Sequence, residues 1–349
     1  LSTLTIDRRR PEDDDEILKL YAGVFGEGLA EGVRRRFQWQ YLQNPATPPE
    51  GPEIWVARDG EQLLGQYASM PVVLWWGGRE RRSSWGMDVF VRAEGRGRGV
   101  GARLFTAWAD HVEVALGLGL TPSSYGLFKK LGYHDVGPVP FYRCFLDPVA
   151  VARRRLGPGL GHVAGWALTA GLFLTARPPR TPAGVEVRPV EGFSAEYDGL
   201  WDRARASYRM CVRRDAAYLT WKYRDCPHRR YDLWEARRGG ELIGFAASRH
   251  EDYRGLRLGW LLDVFAGASD REAKVALIQS VLQSFRAVGV ARAQAFSMNA
   301  ALGEDLRRCG FWPGPSPMLF CVKTREPAPE VIADRGGWHV VFGDSDMDR

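Results

Sequence analysis

One ordered pattern runs through this chain twice, and that constrains its fold more than any other feature. Trp39-Gln40-Tyr41, ahead of Asn44-Pro45, returns as Trp221-Lys222-Tyr223 ahead of Pro227. Ile54-Trp55-Val56-Ala57-Arg58 returns as Leu233-Trp234-Glu235-Ala236-Arg237, and Leu64-Gly65 as Ile243-Gly244. Trp85-Gly86-Met87-Asp88-Val89-Phe90 returns as Trp260-Leu261-Leu262-Asp263-Val264-Phe265. Leu131-Gly132-Tyr133 matches Cys309-Gly310-Phe311, and Cys144 matches Cys321. Two copies are too few for a solenoid, so the pattern predicts two similar globular domains. A length of 349 residues fits two domains of ordinary size.

Periodicity fills in the elements. Apolar residues at Ile17, Leu18, Leu20, Tyr21 and Phe25 predict a helix over Glu12–Phe25. Gly32–Gln43 reads as a second helix, stopped by Asn44-Pro45. Glu53–Arg58 and Gln62–Gly77 read as strands joined at Asp59-Gly60. A strand over Trp85–Val91, a helix from Val100 to Val114, a short strand, a helix over Pro122–Leu131 and a strand at Phe141–Phe145 complete the first half. The expected divisions are a domain over 1–147, an apolar linker helix over 148–182, a second domain over 183–325 and a polar tail over 326–349.

The chemistry-bearing stretch is Arg96-Gly97-Arg98-Gly99-Val100-Gly101, where a strand turns into a helix. Glycines accept positive φ and let a ligand approach the backbone closely. The first amides of a helix lack internal partners and carry partial positive charge. Together they make a cradle for pyrophosphate, and Arg92, Arg96 and Arg98 add charge. The bland alternative is a flexible Arg/Gly loop or a basic tract that contacts RNA. The glycines alternate too tightly for a dinucleotide-binding turn, and no Gly-Lys-Ser/Thr follows as a P-loop needs.

This loop resembles the R/Q-x-x-G-x-G/A acyl-CoA loop of the GNAT N-acetyltransferase superfamily. Asp88-Val89-Phe90-Val91 resembles that family's central strand, and Leu127-Phe128-Lys129-Lys130-Leu131-Gly132-Tyr133 its later helix-end segment. The resemblance implies an α/β (α+β) fold with a mixed sheet in each of two tandem GNAT-like units. It implies transfer of an acetyl group from acetyl-CoA, without a metal, to a primary amine of a small molecule or peptide. Backbone amides near Phe90 and Val91 would stabilise the developing oxyanion. The implied cofactor contacts are Phe90, Val91, Arg96, Gly97, Arg98, Gly99, Val100, Gly101 and Phe128. The alternatives are another acyl-CoA, an acyl carrier or an aminoacyl-tRNA as donor, and an inactive CoA-binding or scaffold protein. The second half departs from the motif: Asp270-Arg271-Glu272-Ala273-Lys274-Val275-Ala276 stands at the loop position, without a glycine and with acids facing the phosphates. It reads as the fold without a cofactor site.

Catalytic assignments are thinner. Asp88 stands where several family members carry a general base, yet Asp263 matches it in the half that lacks the loop, which favours a structural carboxylate. A Tyr that protonates the leaving thiolate often stands where this chain has Phe128. Tyr125, three residues earlier on the same helix, is the first substitute, Tyr133 the second and bulk water the third. The Trp-x-Tyr pairs read as packing. Tyr67, Met70, Trp75 and Trp76 fit either an acceptor groove or an ordinary half-buried strand.

Composition adds little. The net charge of +6 permits an anionic partner, but only six of the 48 basic residues are Lys, an Arg habit that argues against a dedicated nucleic-acid role. The five cysteines form no C-x-x-C, and the charged stretch Arg8–Glu16 leaves no room for an apolar signal run, so a reduced cytoplasmic protein is expected. Gly157–Ala176 is apolar, with glycines at 157, 161 and 165. It reads as a helix packed on the domains, with a membrane-surface anchor as the alternative.

Overall fold

The computed structural model describes residues 4–25, 30–175, 182–327, 332 and 334–346. Parts of two expectations, the end of the apolar stretch from Ala176 and stretches of the tail, fall outside these residues.

The first repeat runs β1 (Leu4–Arg8), α1 (Asp14–Phe25), α2 (Ala30–Phe37), β2 (Ile54–Asp59), β3 (Gln62–Trp76), β4 (Arg79–Val91), α3 (Val100–His111), β5 (Val114–Leu118), α4 (Pro122–Lys130), β6 (His134–Pro138) and β7 (Phe141–Phe145). Two helices follow, α5 (Pro148–Leu156) and α6 (Pro158–Thr175). The second repeat runs β8 (Glu186–Val190), α7 (Glu196–Ala204), β9 (Met210–Val212), α8 (Ala216–Leu219), β10 (Asp232–Arg238), β11 (Glu241–Tyr253), β12 (Leu256–Ala266), α9 (Arg271–Ala287), β13 (Arg292–Phe296), α10 (Ala300–Arg308), β14 (Trp312–Gly314) and β15 (Leu319–Thr324). The short strand β16 (Trp338–His339) comes last.

Hairpin chemistry sets the antiparallel registers. Gly77 and Gly78, between β3 and β4, both have positive φ, as do Gly239-Gly240 between β10 and β11 and Arg254-Gly255 between β11 and β12. Two consecutive positive-φ residues make the turn whose twist matches paired strands. The helix α4 is bounded as the sequence predicts, with the Thr121 side chain accepting from the Ser124 amide and Pro122 at its first position.

Two compact units result. One comprises residues 1–138, 225–229 and 318–334, the other 139–224, 230–317 and 335–349. The first sheet has the order β1-β2-β3-β4-β5-β15-β6, the second β14-β7-β13-β12-β11-β10-β8. The repeats have therefore exchanged strands. Phe141–Phe145, expected to close the first domain, pairs antiparallel with β13, while Leu319–Thr324 pairs with β5. Both strands are short, apolar and centred on the matching Cys144 and Cys321, so neither sequence specifies which sheet takes it.

Two further expectations change. The segment after residue 147 is a helical hairpin, not one linker helix: Gly157 with φ 79° ends α5 and Pro158 starts α6. Gly161 and Gly165 do pack closely, since a Cβ there would lie 2.4 Å and 2.6 Å from the α5 backbone at Arg153 and Val149. The expected polar tail contains a buried stretch, Trp338 to Phe342, with Asp344 and Ser345 buried beside it.

Candidate active site

At the end of β4 the chain makes a short turn at Ala93–Gly95 and enters α3 through Gly97 (φ 74°) and Gly99 (φ 73°). Gly99 is the N-cap of α3, in the left-handed conformation, and offers no side chain to the first amides of the helix. A Cβ added at Gly97, Gly99 or Gly101 would meet no protein atom within 4 Å. Positive φ explains the first two glycines. Gly101 has neither strain nor crowding to explain it, and glycine there costs about 0.5–1 kcal/mol against Ala. A surface kept bare at that cost suits a ligand lying against the backbone. Val100 is buried and anchors the helix start in the core. Arg92 and Arg96 have no ion-pair partner among the described residues, whereas Arg98 donates to Asp59 at 2.8 Å.

Behind the loop, β4 and β5 run parallel for only three residue pairs, ending at Trp85 and Leu116. The next residue on each strand is glycine, and each is overlaid by a ring. A Cβ on Gly86 would sit 1.9 Å from the Tyr67 hydroxyl, and one on Gly117 would sit 2.3 Å from the Phe128 ring. Tyr67 and Tyr133 are buried, and their hydroxyls have no hydrogen-bond partner among the described residues. Burial pushes both phenols above their ordinary range, and each buried hydroxyl is a polar group that a ligand or water would satisfy. Phe128 is itself buried against Phe105 and Tyr133, which places the expected cofactor contact inside the core.

Past the last pair, β4 bulges. Ala68 faces Met87 while Gln66 faces Phe90, so Asp88 and Val89 oppose Tyr67 alone, and Asp88 takes φ 46°. The Arg92 amide donates to Leu64 O at 2.8 Å, and antiparallel alternation turns the Val91 amide away from β3, toward the side where β5 diverges. By the same alternation Phe90 faces β3, so of the two expected amides only Val91 faces the split. The Asp88 carboxylate gathers three donors on Oδ2: Tyr41 at 2.5 Å, Tyr21 at 3.0 Å and Arg36 at 3.3 Å. Gln66 donates to the Asp88 carbonyl at 2.9 Å. This hub ties α1, α2 and a π-helical turn at Gln38–Leu42 to the bulge. Tyr125 is half-buried on α4, against the edge of the core. Its hydroxyl donates to Asp135, which raises its pKa to about 12. Among the described residues no group of His, Cys, Asp and Glu side chains is placed to hold a metal ion.

A bulged strand, a diverging neighbour and a glycine-lined helix start occur together in residues 5–136, and this segment matches the family described as "Acetyltransferase (GNAT) domain". Residues 5–136 are therefore similar to a GNAT domain. Solved structures share the architecture at low identity. A GCN5-related N-acetyltransferase from Anabaena variabilis aligns over 92% of this chain and 73% of its own, with TM-score 0.64 and 14% identity. A GCN5-related N-acetyltransferase from Kribbella flavida aligns over 93% and 71%, with TM-score 0.58 and 15% identity. Saccharomyces cerevisiae N-myristoyltransferase with bound myristoyl-CoA aligns over 92% and 83%, with TM-score 0.56 and 15% identity. No curated protein matches the sequence.

The second unit repeats the frame of the first with different contents. β12 and β13 are parallel over three pairs, ending at Trp260 and Gln294, and β12 bulges between Leu261 and Asp263. Tyr223, in a second π-helical turn, donates to Asp263 at 3.1 Å as Tyr41 does to Asp88. Here Asp270 caps α9, accepting from the Ala273 amide at 3.1 Å, and its carboxylate is paired with Arg238. The diverging strands enclose the chain's own C-terminal segment. Val341 bridges Ser297, the Met298 amide donates to Val340 O at 3.1 Å, and a Cβ on Gly343 would touch both Tyr223 and Leu262. Arg214, buried, holds Asp263 at 3.0 Å and Asp344 at 2.8 Å. The sequence reading missed this clamp. Its one signal was the apolar run Trp338–Phe342 inside a charged terminus.

Proposed function

We propose that the first unit transfers an acetyl group from acetyl-CoA to a primary amine, and that the second unit holds no cofactor. The uncapped, glycine-lined start of α3, set at the end of a bulged strand, carries this reading. Bound acetyl-CoA supplies an activated thioester carbon for the free amine. Arg92 and Arg96 lie at the loop with no acid to neutralise them among the described residues, which suits a pyrophosphate. The Val91 amide faces the side on which the thioester carbonyl would need a donor. Asp88 holds the bulge in shape, since Asp263 makes the same tyrosine contact in a unit with no glycine loop. Tyr125 and Tyr133 are the candidate proton sources for the departing thiolate. In the second unit the Asp270 cap and the inserted C-terminal segment occupy the equivalent places.

The test is a panel of small amines and peptide N-termini incubated with acetyl-CoA, with release of free thiol as readout. Thiol release above hydrolysis with at least one amine class is expected. No release with any amine, together with no heat on titrating acetyl-CoA, would sink the reading. A longer acyl donor is the second reading, supported by the alignment with the myristoyl-CoA-bound enzyme. Competition between acetyl-CoA and medium- and long-chain acyl-CoA separates the two.

A further inference from the structure

The α5–α6 hairpin presents a face that its own unit leaves uncovered. The glycine face of α6 packs on α5, and the opposite face carries Leu160, Val163 and Trp166, which are 74%, 72% and 67% exposed. Leu156, at the hairpin turn, is 54% exposed and extends the same patch. At 100° per residue, positions 160, 163, 166, 167 and 170 fall on one side of the helix, and none of them is charged. Among the described residues no helix is long and apolar enough to cross a membrane.

Cations rim the patch. Arg153, Arg154 and Arg155 close α5 beside Leu156, and residues 148–175 contain no Asp or Glu. Burial first, and then the nearby Arg155, lowers the basicity of Arg143 and Arg292. No acid pairs with Arg143, Arg153, Arg155 or Arg292 among the described residues. Arg154 donates to the Arg254 carbonyl at 2.7 Å, which ties the hairpin to the β11–β12 turn, where Tyr253 is 48% exposed. Like charges left unpaired beside exposed Trp, Val and Leu are the complement of a surface that is anionic outside and apolar just beneath.

We propose that the α5–α6 hairpin docks the protein on the surface of an anionic phospholipid bilayer. The apolar face of α6 enters the boundary between headgroups and acyl chains, and the Arg153–Arg155 cluster lies against the lipid phosphates. This docking is independent of acyl transfer, and its test contains no acetyl-CoA.

The full chain is floated with vesicles of phosphatidylcholine alone and with added phosphatidylglycerol, at low and high salt. Binding to the anionic vesicles, weakened by salt, is expected. The double variant Val163→Ser/Trp166→Ser should lose at least tenfold in vesicle affinity. Arg153→Gln/Arg155→Gln should lose most of the preference for anionic lipid. All four side chains are solvent-exposed or at the helix end, so melting temperatures should stay near that of the parent, and matched melts verify this. Absence of binding to any vesicle overturns the proposal, as does binding that neither double variant changes. A parent that self-associates in sedimentation, binds no vesicle and becomes monomeric on Val163→Ser/Trp166→Ser would show that a second copy covers this face instead.

Discussion

The first turns of α3 and α9 begin at equivalent places in two copies of one frame, and they satisfy their amides in opposite ways. Gly99 offers α3 no side chain, and the glycines around it leave open space. Asp270 closes α9 with its own carboxylate, and Arg238 holds that carboxylate in place. The free amides at a helix start must be met by something. Where the chain meets them itself, as at Asp270, no anionic ligand is called for. The same contrast holds at the splayed strands, where the second unit inserts Val340–Phe342 beside Ser297.

The largest expected effect separates the two aspartate hubs. Arg214 is fully buried between Asp263 and Asp344, and removing one member of a buried pair costs about 3–5 kcal/mol. Arg36 stays 17% exposed, and Asp88 keeps the Tyr21 and Tyr41 donors without it, so losing its longer contact should cost less. Arg214→Met and Arg36→Met, compared by urea unfolding, should differ accordingly. Equal losses would break the claim that the second hub clamps the C-terminal segment while the first only shapes the bulge.

Ligand stabilisation comes next. Acetyl-CoA at 100 times its dissociation constant should stabilise the protein by about 2.7 kcal/mol. Gly101→Glu adds a side chain at a helical, uncrowded position with a favourable acid near the helix start, so the apo protein should melt no lower than the parent. The acetyl-CoA shift should vanish. A shift retained in this variant would mean that the ligand binds elsewhere.

The two halves of this comparison were unequally legible in the sequence. The α3 loop could be read because positive φ, bare backbone and charge are local demands, and Gly97, Gly99 and Arg96 meet them within a few residues. The Thr121–Gly132 frame of α4 was local for the same reason. The strand exchange was not legible: Phe141–Phe145 and Leu319–Thr324 have the same alternation, and their partners lie more than a hundred residues away in the other repeat. The Asp88 hub hid for a related reason, since Tyr21, Arg36 and Tyr41 meet at a carboxylate only after three elements pack. Trp338–Phe342 was read with its charged neighbours as tail, although its composition was that of a strand.

Acid titration sharpens the comparison further. Burial first, then Arg214, lowers the His339 pKa from 6.5 to about 4. Between those values the unfolded chain holds the extra proton, so the stability from His339 is present above pH 6.5 and falls on acidification. Asp344 acts in the opposite direction. Burial raises its pKa from 3.8 to about 6, so in that window the folded chain holds the extra proton and stability rises on acidification. Between pH 6 and 4 these two contributions should therefore largely offset one another. His339→Gln leaves Asp344 unopposed, and its stability relative to the parent should rise by up to about 1.4 kcal/mol per pH unit of acidification. Parallel curves would mean that His339 is not held neutral beside Arg214.

The smallest effect concerns the proton for the leaving thiolate, where two tyrosines of the first unit differ in what surrounds the hydroxyl. Tyr125 is half-buried, and its proton is committed to Asp135, which lifts its pKa to about 12. Tyr133 is buried beside Trp108 and Phe128, with a hydroxyl that no protein atom bonds among the described residues. An unsatisfied buried hydroxyl costs stability, so Tyr133→Phe should leave the fold unharmed or raise its melting temperature. Tyr125→Phe removes an exposed hydrogen bond and should change melting little. Turnover then decides. A tenfold loss corresponds to about 1.4 kcal/mol of barrier, within the range of one lost proton donor. If Tyr125 supplies the proton, Tyr125→Phe should lose tenfold at unchanged acetyl-CoA affinity, and Asp135→Asn should move the pH profile of turnover with it. A loss confined to Tyr133→Phe, in a protein at least as stable as the parent, would identify the buried hydroxyl as one kept unsatisfied for the reaction. Full turnover in both variants would leave water as the donor.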